Sequence, residues 1–329
     1  MIAYADLSTL LLILLLLVGL AALCFGGDWL ARGAGSLALH WKINPVVVGL
    51  TIVAIATSMP ELITALMATA RGSDDLALGN IIGSNLGNIG LILGIAAIIN
   101  PVRIQWRLIR QEVPILFVAT LVFTLLCLAG YLVDGQLGRI GGAVLLAGAA
   151  GYLIFLVVQA RRAKGELQQE YEDEVGDPVK TVWGCLLFVA LGGAALWLGA
   201  ELLIGSSVEI AHRLHISDAL IGLTVVAIGT SLPELAASVA AALRGQSAII
   251  AGNIVGSNIF NMLLVGGGVS TIFPIKIQGS LFLLEYPAMI LITVLLWLAF
   301  FTSRTVSRRE GVGFILLYVA ILTLSGLNQ

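Results

Sequence analysis

The chain has 329 residues, 59% of them hydrophobic and 11% charged, with a net charge of −2 and a mean hydropathy of +1.04. Soluble domains carry about 45–50% apolar and about 25% charged residues, so this excess excludes a water-soluble domain and points to a bilayer. No basic patch interleaved with aromatics occurs, so no nucleic-acid partner is expected; the partners implied are the lipid bilayer and small ions.

A spanning helix needs about 20 mostly apolar residues. Ten such segments follow in chain order: 7–27, 45–70, 76–99, 112–130, 137–159, 181–207, 219–243, 247–273, 281–302 and 311–327. The first apolar run, Leu7 to Phe25, has no basic residue ahead of it, which predicts a retained helix rather than a cleaved signal. Pro60 and Pro233 predict that segments two and seven are interrupted. The long polar stretch Gln159 to Lys180 reads as a solvated linker. Its acidic run could hold a regulatory cation, but a plain loop is the simpler reading. The chain thus divides into a first half (1–159), a linker (160–180) and a second half (181–329). Cys24, Cys127 and Cys185 lie in apolar segments without metal-ligand spacing, and the tryptophans read as interface anchors or core. No cofactor is implied.

Lys and Arg in the loops set orientation. Arg71, Arg139, Arg213 and Lys276 fall on the side that holds the termini; the thirteen others fall on the opposite side. The basic side, with the 160–180 loop, is expected in the cytoplasm and both termini outside.

A repeat at an offset of 173 residues organises the chain. Gly49-Leu-Thr-Ile-Val-Ala-Ile-Ala-Thr-Ser-Met-Pro-Glu-Leu62 returns as Gly222-Leu-Thr-Val-Val-Ala-Ile-Gly-Thr-Ser-Leu-Pro-Glu-Leu235. The same offset carries Arg71 onto Arg244, Asn80 onto Asn253, Gly83-Ser84-Asn85 onto Gly256-Ser257-Asn258, Asn88 onto Asn261, and Glu112 onto Glu285. Upstream it pairs Asp28 with Glu201. The two repeats occupy about 45–99 and 219–273. Five spans separate equivalent points, and an odd number inverts the second copy. The expected fold is therefore an all-α integral membrane protein of ten transmembrane helices, arranged as two inverted five-helix repeats with interrupted helices at a central site.

Ala54, Thr57, Ser58 and Glu61 share one helix face. Pro60 deprives the Ala56 carbonyl of its helical partner, so one stretch offers a carboxylate, two hydroxyls and free carbonyl oxygens. Ala227, Thr230, Ser231 and Glu234 repeat the set, with Gly229 supplying the freed carbonyl. Ser84 and Asn88 share a face, as do Ser257 and Asn261, while Asn85 and Asn258 add amide oxygens. Gly79, Gly83 and Gly87 predict close approach of a neighbouring helix. A charged side chain at mid-bilayer costs about 2.5–3.5 kcal/mol on insertion scales, so two carboxylates without a nearby Lys or Arg need a counter-charge. The ligands are all hard oxygen, which suits Ca²⁺, Na⁺, Mg²⁺ or Mn²⁺. Many adjustable oxygens favour Ca²⁺ over Mg²⁺. Two carboxylates balance one Ca²⁺ or two Na⁺. Singly, each unit also reads as a packing or kinking device, or as a protonated, inert Glu. Their duplication argues for a site. Glu112 and Glu285, beside prolines at span starts, read as interface residues.

At Ala-Thr-Ser-Met-Pro-Glu61, Gly-Thr-Ser-Leu-Pro-Glu234 and the two Gly-Ser-Asn units, the chain resembles the sodium/calcium exchanger branch of the calcium/cation antiporter superfamily, in its compact prokaryotic form. The resemblance implies entry of Na⁺ against exit of Ca²⁺ through the inner membrane, without enzymatic chemistry. It implies Ca²⁺ ligation by Glu61, Glu234, Thr57 and Thr230, and Na⁺ sites at Ala54, Ala227, Ser84 and Ser257, with Asn88 and Asn261 completing the centre. It also implies that spans one and six slide across the other eight, a motion that Gly26, Gly27, Gly33, Gly192, Gly193 and Gly199 fit as a loosely gripped surface, though they equally fit ordinary packing. Two positions depart from the pattern. Gly87 replaces an aromatic, and position 261 is Asn where potassium-coupled members carry Asp. Three other readings stay open: a proton-coupled Ca²⁺ antiporter, a cation channel and an intramembrane enzyme. The last lacks a Lys, His or second Asp to activate a nucleophile.

Overall fold

A computed structural model describes residues 4–70, 72–162, 178–214 and 229–328. Among these, nine helices are long and apolar enough to cross a membrane. They are α1 (Thr9–Trp41), α2 (Pro45–Ala70), α3 (Asp74–Ile99), α4 (Leu108–Asp134), α5 (Arg139–Arg162), α6 (Val182–Arg213), α8 (Ser247–Ile272), α9 (Glu285–Ser303) and α10 (Arg308–Asn328). A shorter apolar helix, α7 (Leu232–Leu243), precedes α8. The expected seventh span, 219–243, is therefore described only in its second part.

Burial sorts the helices into layers. In α8, 94% of the most apolar window is buried inside the protein, and in α3, 78%, against 22–39% for α1, α4, α5, α6, α9 and α10. So α3 and α8 form the centre, and the outer helices turn apolar residues such as Leu10, Val118 and Phe301 outward, where acyl chains are the matching solvent.

Two short strand pairs clip the halves together. After α3, β1 (Val102–Arg103) pairs antiparallel with β4 (Thr305–Val306), which follows α9. After α4, β2 (Gln136–Leu137) pairs with β3 (Ile275–Lys276), which follows α8. The 173-residue offset maps β1 onto β3, so each repeat sends the same strand across to the other half. The 22-residue stretch Val113–Asp134, about 33 Å long at 1.5 Å per residue, separates the two clips along α4.

Several expectations need correction. The first and sixth helices were expected at 7–27 and 181–207 but run to Trp41 and Arg213. Hydropathy stops at Asp28 and Arg32; the helix does not, because both charges are accommodated. Asp28 Oδ1 accepts from Arg244 Nε at 2.8 Å, and Arg32 lies over the Phe188 ring at 5.6 Å. Pro60 does not break α2, which stays helical from Ala54 to Ala70. Proline is tolerated in spanning helices, and the Asn80 amide ties α3 to this stretch of α2 through the Glu61 carbonyl (3.3 Å). The irregularity lies one turn earlier, in a π-helical turn at Gly49–Val53. In the second copy the chain does turn, at Thr230 and Ser231, and Pro233 sits in the first turn of α7, where its missing N–H costs nothing.

The glycines of α1 and α6 mostly face each other rather than the remaining helices. A Cβ on Gly19 would lie 2.8 Å from the Gly199 carbonyl, one on Gly26 2.9 Å from that of Gly192, and one on Gly33 2.9 Å from that of Cys185. The seven-residue spacing makes a tight antiparallel seam, so the two helices are clamped as a pair. Gly27 faces the backbone of Ala236 on α7, and Gly193 faces Ala56 on α2. Gly79 and Gly83 have no close neighbour among the described residues, whereas their counterparts Gly252 and Gly256 press on the backbones of Val46 and Leu50.

A Cβ on Gly192 would meet the Leu30 amide nitrogen at 2.6 Å. Gly192→Val is thus expected to cost at least about 1–3 kcal/mol through overpacking and to lower the melting temperature in detergent. Gly313→Ala, which meets nothing within 4 Å, should be neutral or slightly stabilising in the same assay.

Candidate functional site

The repeated Thr-Ser-x-Pro-Glu segments bring their glutamates together at the centre. Glu61 is 1% exposed and Glu234 0%, and each lies within electrostatic reach of the other. Both carboxylate oxygens of Glu61, and Oε2 of Glu234, are buried with no hydrogen-bond partner among the described residues. The fourth oxygen, Glu234 Oε1, accepts from Ser58 Oγ at 3.3 Å. No ion pair reaches either glutamate among the described residues.

The helices at the centre supply the rest. Ser231 Oγ donates to Ser84 Oγ (3.2 Å), joining the second motif to α3. Thr57 is fully buried; its hydroxyl lies 3.1 Å from the Val53 carbonyl, 3.4 Å from that of Ala54 and 3.4 Å from Asn253 Oδ1 on α8. Ser257 Oγ also donates to Asn253 Oδ1 (3.4 Å). Thr230 is buried beside Ser231. Ala227 lies outside the described residues.

The asparagines divide into two kinds. Asn88 Nδ2 donates to Asn258 Oδ1 (2.9 Å), and Asn258 Nδ2 to the Asn85 carbonyl (3.4 Å), so both functional groups of the Asn258 amide are spent on tying α8 to α3. Asn85 donates to the Ile81 carbonyl (2.7 Å). By contrast, the amide oxygens of Asn85, Asn88 and Asn261 are buried and have no hydrogen-bond partner among the described residues. Asn88 and Asn261 each open a π-helical turn, Asn88–Ile92 and Asn261–Gly266. Such single turns are frequent at functional sites. The turn at Asn261 packs against α2, which carries Glu61, and the turn at Asn88 against α7, which carries Glu234. Nothing in the residue pattern announces a π turn, since it changes hydrogen-bond spacing without changing residue type. Asn253 and Ser238, which donate and accept a 3.1 Å bond at the edge of the site, were also not singled out. The signal available was Asn253's place in the repeat.

The remaining departures have local explanations. Gly87 leaves room for Tyr318 of α10, whose ring is 3.6–3.9 Å from where a Cβ would be. The counterpart Phe260 packs on Tyr152 at 5.9 Å, so bulk is exchanged across the interface. Glu112 accepts from Tyr152 (3.1 Å) and Glu285 from Ser325 (2.5 Å). Both are helix-to-helix ties outside the central cluster.

The arrangement offers oxygen in excess of donors: carboxylates, amide oxygens and hydroxyls converging in a space without a cationic side chain among the described residues. Hard cations fit such a set. Comparison with known proteins gives the family. The family model described as "Sodium/calcium exchanger protein" matches residues 11–159 and 184–327. CaxA of Alkalimonas amylolytica is 40% identical over 266 residues, covering 80% of this chain and 82% of its own. Inner membrane protein YrbG of Escherichia coli (strain K12) is 35% identical over 310 residues, covering 92% of both. Among solved structures, the sodium-calcium exchanger NCX_Mj soaked with 2.5 mM Na⁺ and 10 mM Sr²⁺ superimposes with a TM-score of 0.80 at 31% identity, over 96% of this chain and 99% of that one.

Two acidic side chains buried side by side, with three of their four oxygens lacking a hydrogen-bond partner among the described residues, strain the ion-free protein. Glu234→Gln is expected to raise the melting temperature in ion-free buffer and to abolish the rise caused by added Ca²⁺. The unsubstituted protein should gain about 2.7 kcal/mol at a Ca²⁺ concentration of about 100 times Kd. Thermal unfolding in detergent with and without Ca²⁺ measures both effects; a variant stabilised by Ca²⁺ as strongly as the parent would remove Glu234 from the site.

Proposed function

The chain belongs to the sodium/calcium exchanger family, and on that premise we propose that it is a membrane antiporter exchanging Na⁺ for Ca²⁺ by alternating access at one central site. The family consists of transporters, not enzymes, and the ions are cargo rather than cofactors. The observation that carries the reading is the facing pair Glu61 and Glu234, buried and uncompensated by any ion pair among the described residues. Their two negative charges are balanced by one Ca²⁺ or by two Na⁺, so the same oxygens serve both ions and exclude simultaneous full occupancy. Glu61, Glu234, Thr57 and Thr230 form the Ca²⁺ centre in this proposal. Ala54, Ala227, Ser84 and Ser257 extend it for Na⁺, with Ser58, Ser231, Asn88 and Asn261 completing the lining. Asn85, whose buried amide oxygen has no hydrogen-bond partner among the described residues, stays in the lining, whereas Asn258 moves to a supporting role because both ends of its amide bridge α3 to α8.

Alternating access follows from an inverted repeat, and the clips support the inversion. Strand β1 follows α3 and meets the strand after α9; β3 follows α8 and meets the strand after α4. Ten alternating spans put the ends of α3 and α9 on one side and those of α4 and α8 on the other. The halves 1–159 and 181–329, joined by a cytoplasmic 160–180 linker with both termini outside, complete the topology. The positive-inside count supports this orientation, and the relative from Escherichia coli, an inner membrane protein, supports the membrane. The glycine seam gives α1 and α6 the form of one rigid pair, suited to move together across the other helices.

The test uses purified protein in liposomes loaded with Na⁺ and diluted into Na⁺-free medium with radioactive Ca²⁺. Ca²⁺ uptake is expected to require internal Na⁺, to fail with K⁺ inside, and to fall at least about 100-fold in Glu61→Gln, since removing one partner of a buried charged contact costs about 3–5 kcal/mol. Uptake driven by a pH gradient alone would replace Na⁺ coupling by proton coupling. Flux that neither saturates nor needs a counter-ion would mean a channel.

A further inference from the structure

The two halves use their equivalent asparagines differently. Asn80, on α3, donates its amide to the Glu61 carbonyl. Asn253, on α8 and 1% exposed, turns its oxygen toward the site, where Ser257 Oγ and Thr57 Oγ1 both lie 3.4 Å away. Its nitrogen is held on the other side by Ser238 Oγ at 3.1 Å. Ser238 is itself 1% exposed, and the 173-residue offset gives Ala65 in its place in the first half, so this lock exists once.

A hydroxyl has one proton and two lone pairs. It can ligate a cation only when the proton points elsewhere. An amide oxygen accepts two hydrogen bonds, so Asn253 Oδ1 can take the proton of Ser257 and share that of Thr57, which also lies near the Val53 and Ala54 carbonyls. If the amide were reversed, its N–H would face Ser257 and occupy a lone pair, and the hydroxyl proton would be driven toward the ion. Ser238 accepts from Nδ2 and so favours the productive orientation.

Resting on the exchanger reading, we propose that Asn253, locked by Ser238, is a positioning residue that presents the Ser257 hydroxyl lone pairs to Na⁺. The residue touches no ion in this proposal and acts through Ser257. Ca²⁺, held mainly by the two carboxylates and by Thr57, whose proton has the closer Val53 carbonyl (3.1 Å) as acceptor, depends on it less, so the effect is one of selectivity.

The test compares the parent with Asn253→Leu, Ser238→Ala and Ser238→Thr in proteoliposomes, measuring Na⁺-dependent Ca²⁺ uptake and, without Na⁺, Ca²⁺/Ca²⁺ exchange. Asn253→Leu should raise the half-saturating Na⁺ roughly tenfold, the scale of one lost hydrogen bond, and leave the maximal Ca²⁺/Ca²⁺ rate within about twofold. Ser238→Ala should shift Na⁺ in the same direction by less, and Ser238→Thr, which keeps the hydroxyl, should restore the parental value. Equal losses in both exchange modes, or an unchanged Na⁺ requirement in Ser238→Ala, would overturn the proposal. If Asn253→Leu does not fold, the Ser238 pair of variants decides alone. A parent protein without Na⁺-coupled uptake would instead sink the exchanger reading, an outcome visible before any variant is compared.

Discussion

Everything in this structure turns on the burial of two like charges side by side in a low-dielectric core. Glu61 and Glu234 are almost completely shielded, and no Lys or Arg reaches them among the described residues. An isolated charge in hydrocarbon is expensive, and two that repel each other are more so. In the proposed function, bound cations supply the missing compensation. That single constraint accounts for the concentration of oxygen around the pair, for the absence of hydrogen-bond partners on three of its four oxygens, and for the placement of the polar helices α3 and α8 at the centre, away from lipid. Apolar helices at the rim supply the surface that acyl chains solvate, and the clips and glycine seam hold the frame.

The second theme is a symmetric sequence in an asymmetric protein. Near-identical segments around Pro60 and Pro233 take different local structures: an unbroken helix in one, a turn at Thr230 and Ser231 in the other. Gly87 with Tyr318 and Phe260 with Tyr152 exchange bulk across equivalent interfaces. In the proposed cycle, each end state holds the two copies in unequal conformations. Differences of this kind within a conserved frame are what such a cycle requires.

The glycines show how a correct signal can carry a different meaning. In the sequence, the small residues on α1 and α6 fit equally a sliding surface against the rest of the protein and ordinary packing. Most of them instead close the seam between the two helices, with carbonyl oxygens 2.8–2.9 Å from where side chains would begin. The heptad spacing was visible, but spacing does not say which neighbour a face meets. Clamped to one another, the two helices have the form of the single body that the proposed motion needs.

What the sequence determined by itself was whatever repeats or composition encode directly. Hydropathy located the spans, the 173-residue offset revealed the repeat, and the Thr-Ser-x-Pro-Glu segments named the carboxylates, because buried charge in an apolar run is a local property of residue type. Helix ends were misjudged at Asp28 and Arg32, since a charge looks like a boundary until its partner on another helix is known. Only the tertiary structure decided that Pro60 leaves its helix intact, that π turns open at Asn88 and Asn261, and that Asn258 bridges while Asn253 faces the site. The last two depend on partners about 170 to 200 residues away in the chain, and no pattern within one segment records which of its polar groups a distant helix will satisfy.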